Sequence, residues 1–145
     1  MKIKECMCGD VCYCNAETTI EEVAKIMCNN HIGCIPVCDN EKNVIGILTD
    51  RDIILRHTAS GKDASTTKVS DIMTCNTSCC ESEASINEAI DTMIKCQIRR
   101  IPVTENGKLV GILTLGDIAK NKNIENNLVG QTIECICKCN DKNAE

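Results

Sequence analysis

The chain has 145 residues, a formal charge of −5, 43% apolar residues and only 1% aromatics. That length holds one real core or two half-size units sharing one, built from Ile, Val, Leu, Met and Cys, since Tyr13 is the sole aromatic. The negative charge argues against a nucleic-acid binder, which needs a basic face to displace phosphate counterions. No apolar run approaches a bilayer span, and Met1-Lys2-Ile3-Lys4-Glu5 has no apolar h-region, so a cytoplasmic protein with no membrane partner and reduced thiols is expected.

In chain order, a short extended lead-in at 11–14 precedes a helix beginning at Thr19. Thr19 with Glu22 is a capping-box signature, and Ile20, Val23, Ala24 and Met27 share one face. Ile35-Pro36-Val37 reads as a strand, Asp39 to Asn43 as a turn, and Val44-Ile45-Gly46-Ile47-Leu48 as a buried strand. Thr49, with Asp52 three residues on, is placed to cap a second helix.

The same order then recurs. An extended segment at 77–80 precedes Ser85 and Glu88, with Ile86, Ala89, Ile90 and Met93 on one helical face. Ile101-Pro102-Val103 is the strand and Asn106-Gly107 a tight-hairpin signal, because both residues tolerate positive φ. Leu109-Val110-Gly111-Ile112-Leu113 follows, ending in Thr114 and Asp117. The expected fold is therefore α+β: two βαββα repeats. One repeat is too small to cover both faces of its sheet, so the two should pack sheet against sheet about a pseudo-twofold axis. The expected boundaries are 7–57 for the first repeat, 58–70 for a Ser/Thr/Lys-rich linker, 71–121 for the second repeat and 122–145 for a tail. Within the tail, 129–139 suits a strand or a short helix.

This pattern resembles the CBS domain family, specifically a tandem pair (a Bateman module). The residues that carry the resemblance are Ile35-Pro36-Val37 with Val44 to Asp52, and Arg99-Arg100-Ile101-Pro102-Val103 with Leu109 to Asp117. Asp71-Ile72-Met73-Thr74 is a typical lead-in, and Glu5-Cys6-Met7-Cys8 looks like a degraded copy of it. The resemblance implies two clefts that bind AMP, ADP or ATP, less commonly S-adenosylmethionine, with no cofactor required. It also implies a disc-like homodimer and a regulatory role in which a nucleotide shifts the packing of the repeats and a separate, unknown protein reads the shift. Asp52 and Asp117 would bond ribose hydroxyls, Thr49 and Thr114 would contact ribose or phosphate, and Ile35, Pro36, Val37 and Ile101, Pro102, Val103 would wall the adenine.

The chemistry of these residues is consistent with that use. A carboxylate accepts two hydrogen bonds from a vicinal diol. A Thr at a helix start brings a hydroxyl and free amides toward an anion, and proline stiffens an apolar wall. For phosphate the repeats differ. Arg51 corresponds to Gly116, while Arg99 and Arg100 correspond to Gly33 and Cys34, so the two clefts are expected to be unequal.

Other readings stay open at this level. Asp52 and Asp117 are also the acidic residues a helix dipole favours in its first turn. Arg51 and Arg99 also fit solvated surface, and His31 and His57 fit surface or helix-end positions. Cysteines cluster at Cys6, Cys8, Cys12, Cys14 and at Cys135, Cys137, Cys139, dense enough for a thiol-rich metal or redox protein on the same scaffold. Cysteines mostly occupy places where the other repeat has Ser, Thr or Ile, so they read first as small hydrophobes, and no metal site is assigned. A structural pair with empty clefts is a third reading. No Gly-rich phosphate loop, nucleophile elbow or His-Glu-x-x-His is present, and the chain reads as no enzyme.

Overall fold

The computed structural model describes residues 1–140, with side chains through 138. Its elements in chain order are α1 (Ile20–Asn30), β1 (Cys34–Cys38), β2 (Val44–Thr49), α2 (Asp50–Asp52), β3 (Cys80–Glu81), α3 (Ile86–Cys96), β4 (Arg100–Glu105), β5 (Lys108–Thr114), α4 (Leu115–Lys120) and α5 (Asn126–Asn140). The fold is α+β with two copies of the repeat. The short α2 runs on into a π turn, Ile53–His57, and a 3-10 turn, Thr58–Ser60. The ambiguous tail segment is helical: α5 buries Val129, Thr132 and Ile136.

Local chemistry sets the element ends. Thr19 Oγ1 accepts the Glu22 N–H at 3.2 Å and the Glu22 carboxylate accepts the Thr19 N–H at 3.0 Å. Ser85 and Glu88 close the same box on α3. Each such cap stabilises its helix by about 1 kcal/mol. Both helices end in a left-handed residue, His31 and Gln97. The hairpins turn differently. Between β1 and β2, Asp39 Oδ1 accepts the Glu41 and Asn43 N–H groups, both at 2.9 Å. These hydrogen bonds, led by those from Asn43, hold the Asp39 carboxyl below its ordinary pKa. Between β4 and β5, Asn106 (φ 53°) and Gly107 (φ 82°) make the positive-φ pair that a two-residue hairpin needs.

The chain divides into two compact units. One holds residues 12–77 with 107–109; the other holds 1–11, 78–106 and the described residues from 110 onward. In the first, β1 and β2 pair antiparallel with Cys34 opposite Thr49, and Cys14 bridges Val37 in parallel. In the second, β3 lies parallel to β4, with Cys80 opposite Val103, and β5 completes the sheet.

Each unit takes its lead-in from the other repeat. Met7 and Cys8, ahead of the first repeat, lie on β5: Cys8 and Ile112 exchange backbone hydrogen bonds at 2.9 and 3.0 Å. Met73 and Thr74, ahead of the second repeat, do the same on β2, where Thr74 and Ile47 exchange bonds at 2.9 and 3.0 Å. Glycine permits both contacts. A Cβ on Gly111 would stand 2.8 Å from Cys8 O, and one on Gly46 would stand 2.9 Å from Thr74 O. The degraded lead-in therefore docks just as the typical one does. Each lead-in also plants one completely buried side chain, Ile3 in one core and Val69 in the other. Residues 58–70 are not free chain throughout: Thr67 and Val69 are buried, and Thr67 O and Ala64 O accept the Ile20 and Glu21 N–H groups at the start of α1.

Candidate functional site

At the end of β2, Thr49 and Asp52 close a capping box. Thr49 N–H donates to Asp52 Oδ2 at 3.0 Å and Asp52 N–H donates to Thr49 Oγ1 at 3.1 Å. The two amides between them are taken as well. Asp50 N–H donates to Gly33 O at 2.9 Å, and Arg51 N–H to Asp50 Oδ1 at 2.8 Å. The free amides expected at this helix start are thus absent, and any anion here has to meet a side chain. Gly33 is part of this arrangement, since a Cβ there would stand 2.8 Å from Asp50 Oδ2.

The end of β5 repeats the box with one bond more. Asp117 Oδ2 accepts the Thr114 N–H at 2.9 Å and the Thr114 hydroxyl at 2.7 Å, while Asp117 N–H donates back to Thr114 Oγ1 at 3.1 Å. Leu115 N–H donates to Arg99 O at 2.8 Å, matching Asp50 on Gly33. Leu115 has no carboxylate to clash with a side chain at 99, which is why arginine fits where the first repeat needs glycine. Asp52 and Asp117 are both half-buried, and in each the cap occupies Oδ2.

The other expected contacts divide by burial. Ile35, Val37, Ile101 and Val103 are completely buried members of the two cores, and Pro36 and Pro102 are buried beside them. Arg51 and Arg99 are exposed and Arg100 is half-buried at the start of β4. Sequence reasoning passed over Arg56. Its Nη1 donates to Ile72 O at 3.2 Å and approaches Thr74 Oγ1 at 3.5 Å, and its Nε lies 3.8 Å from Asp52 Oδ1. The available signal was the Asp-to-Arg spacing of four on a helix. Asn121 holds the corresponding place, with Nδ2 3.6 Å from Met1 Sδ.

Two expectations need correction. His57 stands at a helix end but not on the surface: it is 5% exposed, and its Nε2 has no hydrogen-bond partner. It borders an open groove of about 430 Å³ with Ile20, Ala24, Cys28, Ile53 and Ala64, none of them a motif residue. His31 is exposed. Packing as small hydrophobes explains Cys14, Cys34 and Cys38, which are buried. Burial, with Cys38 beside it, pushes the Cys14 thiol up to about 12. Yet Cys8, Cys28, Cys75, Cys79, Cys96, Cys135 and Cys137 are exposed, so packing does not account for them. The four N-terminal cysteines are shared between the units, Cys6 and Cys8 in one, Cys12 and Cys14 in the other. Among the described residues no three His, Cys, Asp or Glu side chains converge as a metal site. The Cys139 side chain lies outside the described part.

The chain is thus a duplicated α+β repeat, each copy ending its second core strand in a Thr–Asp capping box. The CBS domain family model matches residues 3–57 and 69–123, and the chain belongs to that family. It is 43% identical over 119 residues to the uncharacterized protein YlbB of Bacillus subtilis (strain 168), covering 81% of this chain and 80% of that protein. It is 33% identical over 119 residues to Hypoxic response protein 1 of Mycobacterium tuberculosis (strain CDC 1551 / Oshkosh), covering 82% of each. Among solved structures, Hypoxic Response Protein I with two coordinated zinc ions has a TM-score of 0.77 at 31% identity, covering 83% of this chain and 98% of that one. The CBS domain pair of protein MJ0100, in complex with 5-methylthioadenosine and S-adenosyl-L-methionine, has a TM-score of 0.72 at 25% identity, covering 83% of this chain and 94% of that one. No helix among the described residues is long and apolar enough to cross a membrane.

Proposed function

We propose that this chain is a non-catalytic regulatory module. It binds adenine nucleotides (AMP, ADP or ATP, with S-adenosylmethionine as a further candidate) at its two Thr–Asp motifs and signals to a separate protein. The observation that carries this reading is the paired geometry. Each motif fixes an aspartate through Oδ2, and the lone pairs of Oδ1 are available to a ribose diol, at Asp52 with Arg56 Nε 3.8 Å away. The adenosyl ligands of the MJ0100 domain pair support the ligand class. Self-association into a homodimer belongs to the same reading. Ile54 and Leu55, side by side and more than half exposed, supply an apolar surface for it.

The test is a thermal shift of the reduced protein against AMP, ADP, ATP, S-adenosylmethionine and GTP. A ligand at a hundredfold its Kd adds about 2.7 kcal/mol, a rise of roughly 5–10 °C at this size. A shift with an adenosine compound that GTP does not give is the expected result. No shift with any of them would sink the nucleotide reading. Seven exposed thiols and the zinc ions of Hypoxic Response Protein I favour a second reading, a metal-binding member of the family. Stoichiometric zinc, iron or copper by mass spectrometry on the reduced protein would move the assignment there.

A further inference from the structure

All four amides from Thr49 to Asp52 already have acceptors within the protein. A phosphate at the first motif therefore has to find a cationic side chain, and the approach to Asp52 without one would be repulsive. Arg56 stands one helical turn beyond Asp52. Its contacts to Asp52, Ile72 and Thr74 run through Nε and Nη1, and its side chain stays 51% exposed against 15% for Asp52. A guanidinium so placed offsets the aspartate charge and still presents donors to an incoming anion.

The second motif keeps the aspartate and changes the neighbour. Asn121 is neutral, and its side chain faces Met1 and the Cys6 thiol of the lead-in. Among the described residues Asp117 has no ion pair. Arg99 and Arg100 stand beside that box, Arg99 O accepting the Leu115 N–H, but among the described residues neither guanidinium pairs with Asp117 as Arg56 does with Asp52.

We propose that Arg56 makes the first motif selective for phosphate-bearing adenosine ligands over adenosine without phosphate. This rests on the adenosine reading above. Arg56 also braces Ile72 and Thr74, so the role has to be separated from simple support of the lead-in.

The experiment is calorimetric titration with AMP and with adenosine, in an Asp117→Asn background that weakens the second motif. Arg56→Gln should weaken AMP by about tenfold to a hundredfold, the value of a charge-assisted bond, and leave adenosine within about twofold. Arg56→Lys should recover part of the AMP loss, because it keeps the charge without the fork. Equal losses of AMP and adenosine in Arg56→Gln would mean that Arg56 only braces the lead-in and would overturn the proposal, as would unchanged AMP binding. If the unsubstituted chain binds no adenosine compound, the nucleotide reading itself falls and takes this proposal with it. Binding of AMP and adenosine that Arg56→Gln does not discriminate removes the proposal alone.

Discussion

Lys2 and Lys68 occupy matching places in the two repeats. Each forms an antiparallel bridge to the residue that caps the first helix of its own unit, Ser85 and Thr19 respectively, and each pairs with a glutamate, Glu83 and Glu17. The motif ends match equally well in their backbone bonds and differ in where charge stands: Asp50, Arg51 and Arg56 surround the first box with Gly33 beside it, where Leu115, Gly116 and Asn121 surround the second with Arg99 and Arg100 beside it. Contacts that hold main chain to main chain leave little room for change, whereas side chains that face outward from the same frame are free to diverge. The scaffold is thus duplicated and the charge around the two boxes is not.

The strongest way to break that comparison is to fill the lead-in contacts. Gly46→Val and Gly111→Val would each drive a side chain into a backbone carbonyl that the exchanged hydrogen bonds hold in place. We expect a loss of about 3 kcal/mol from each, at the upper end for overpacking, measured by urea unfolding. A cost at only one of the two positions would show that the lead-ins are not equivalent.

A smaller effect sharpens the motif comparison. Asp52→Ala and Asp117→Ala each remove a capping box and should cost about 1 kcal/mol by the same measurement. Asp117→Ala also leaves the Thr114 hydroxyl without its acceptor, so it should be the more costly of the two.

The smallest effect is a pH dependence. Hydrogen bonds from Lys2 and Lys4 hold the Glu83 carboxyl down at about 2, against an ordinary value of 4.5. A depressed carboxyl contributes stability that is fully present above the ordinary value and is lost as pH falls toward the folded one. The melting-point difference between the unsubstituted chain and Glu83→Gln should therefore shrink as pH falls from about 6 toward about 2. Because the pair is exposed, salt should shrink it as well. A difference that persists at the acid end would mean that the lysines do not hold the N-terminal arm through Glu83.

Much of this frame was legible in the residues. The Thr19–Glu22 and Ser85–Glu88 boxes, the Asn106–Gly107 turn and the Thr–Asp ends of β2 and β5 depend on neighbours within a few positions, which spacing reveals. The exchange of lead-ins was not legible. Which hairpin an extended segment joins is a long-range choice, and Met7 or Met73 carries no local mark of it. The tail was ambiguous because Cys135-Ile136-Cys137 fits alternation as well as a helical face, and burial of Val129, Thr132 and Ile136 decided for the helix. The burial of His57 and the exposure of seven cysteines follow from packing partners that composition does not name. Arg56 was within reach, because an Asp and an Arg four apart on a helix meet regardless of what surrounds them.

The exchanged lead-ins also set an order of assembly. Residues 1–11 leave the ribosome well before residues 78–114, yet Ile3 N–H bonds Ala84 O and Cys8 exchanges hydrogen bonds with Ile112. Through most of synthesis that arm waits unpaired, whereas Val69 to Thr74 meets a hairpin that is already made. A segment made before the first repeat is therefore among the last to be built in. A bulky fusion at its amino end should slow the closing of one unit and spare the other.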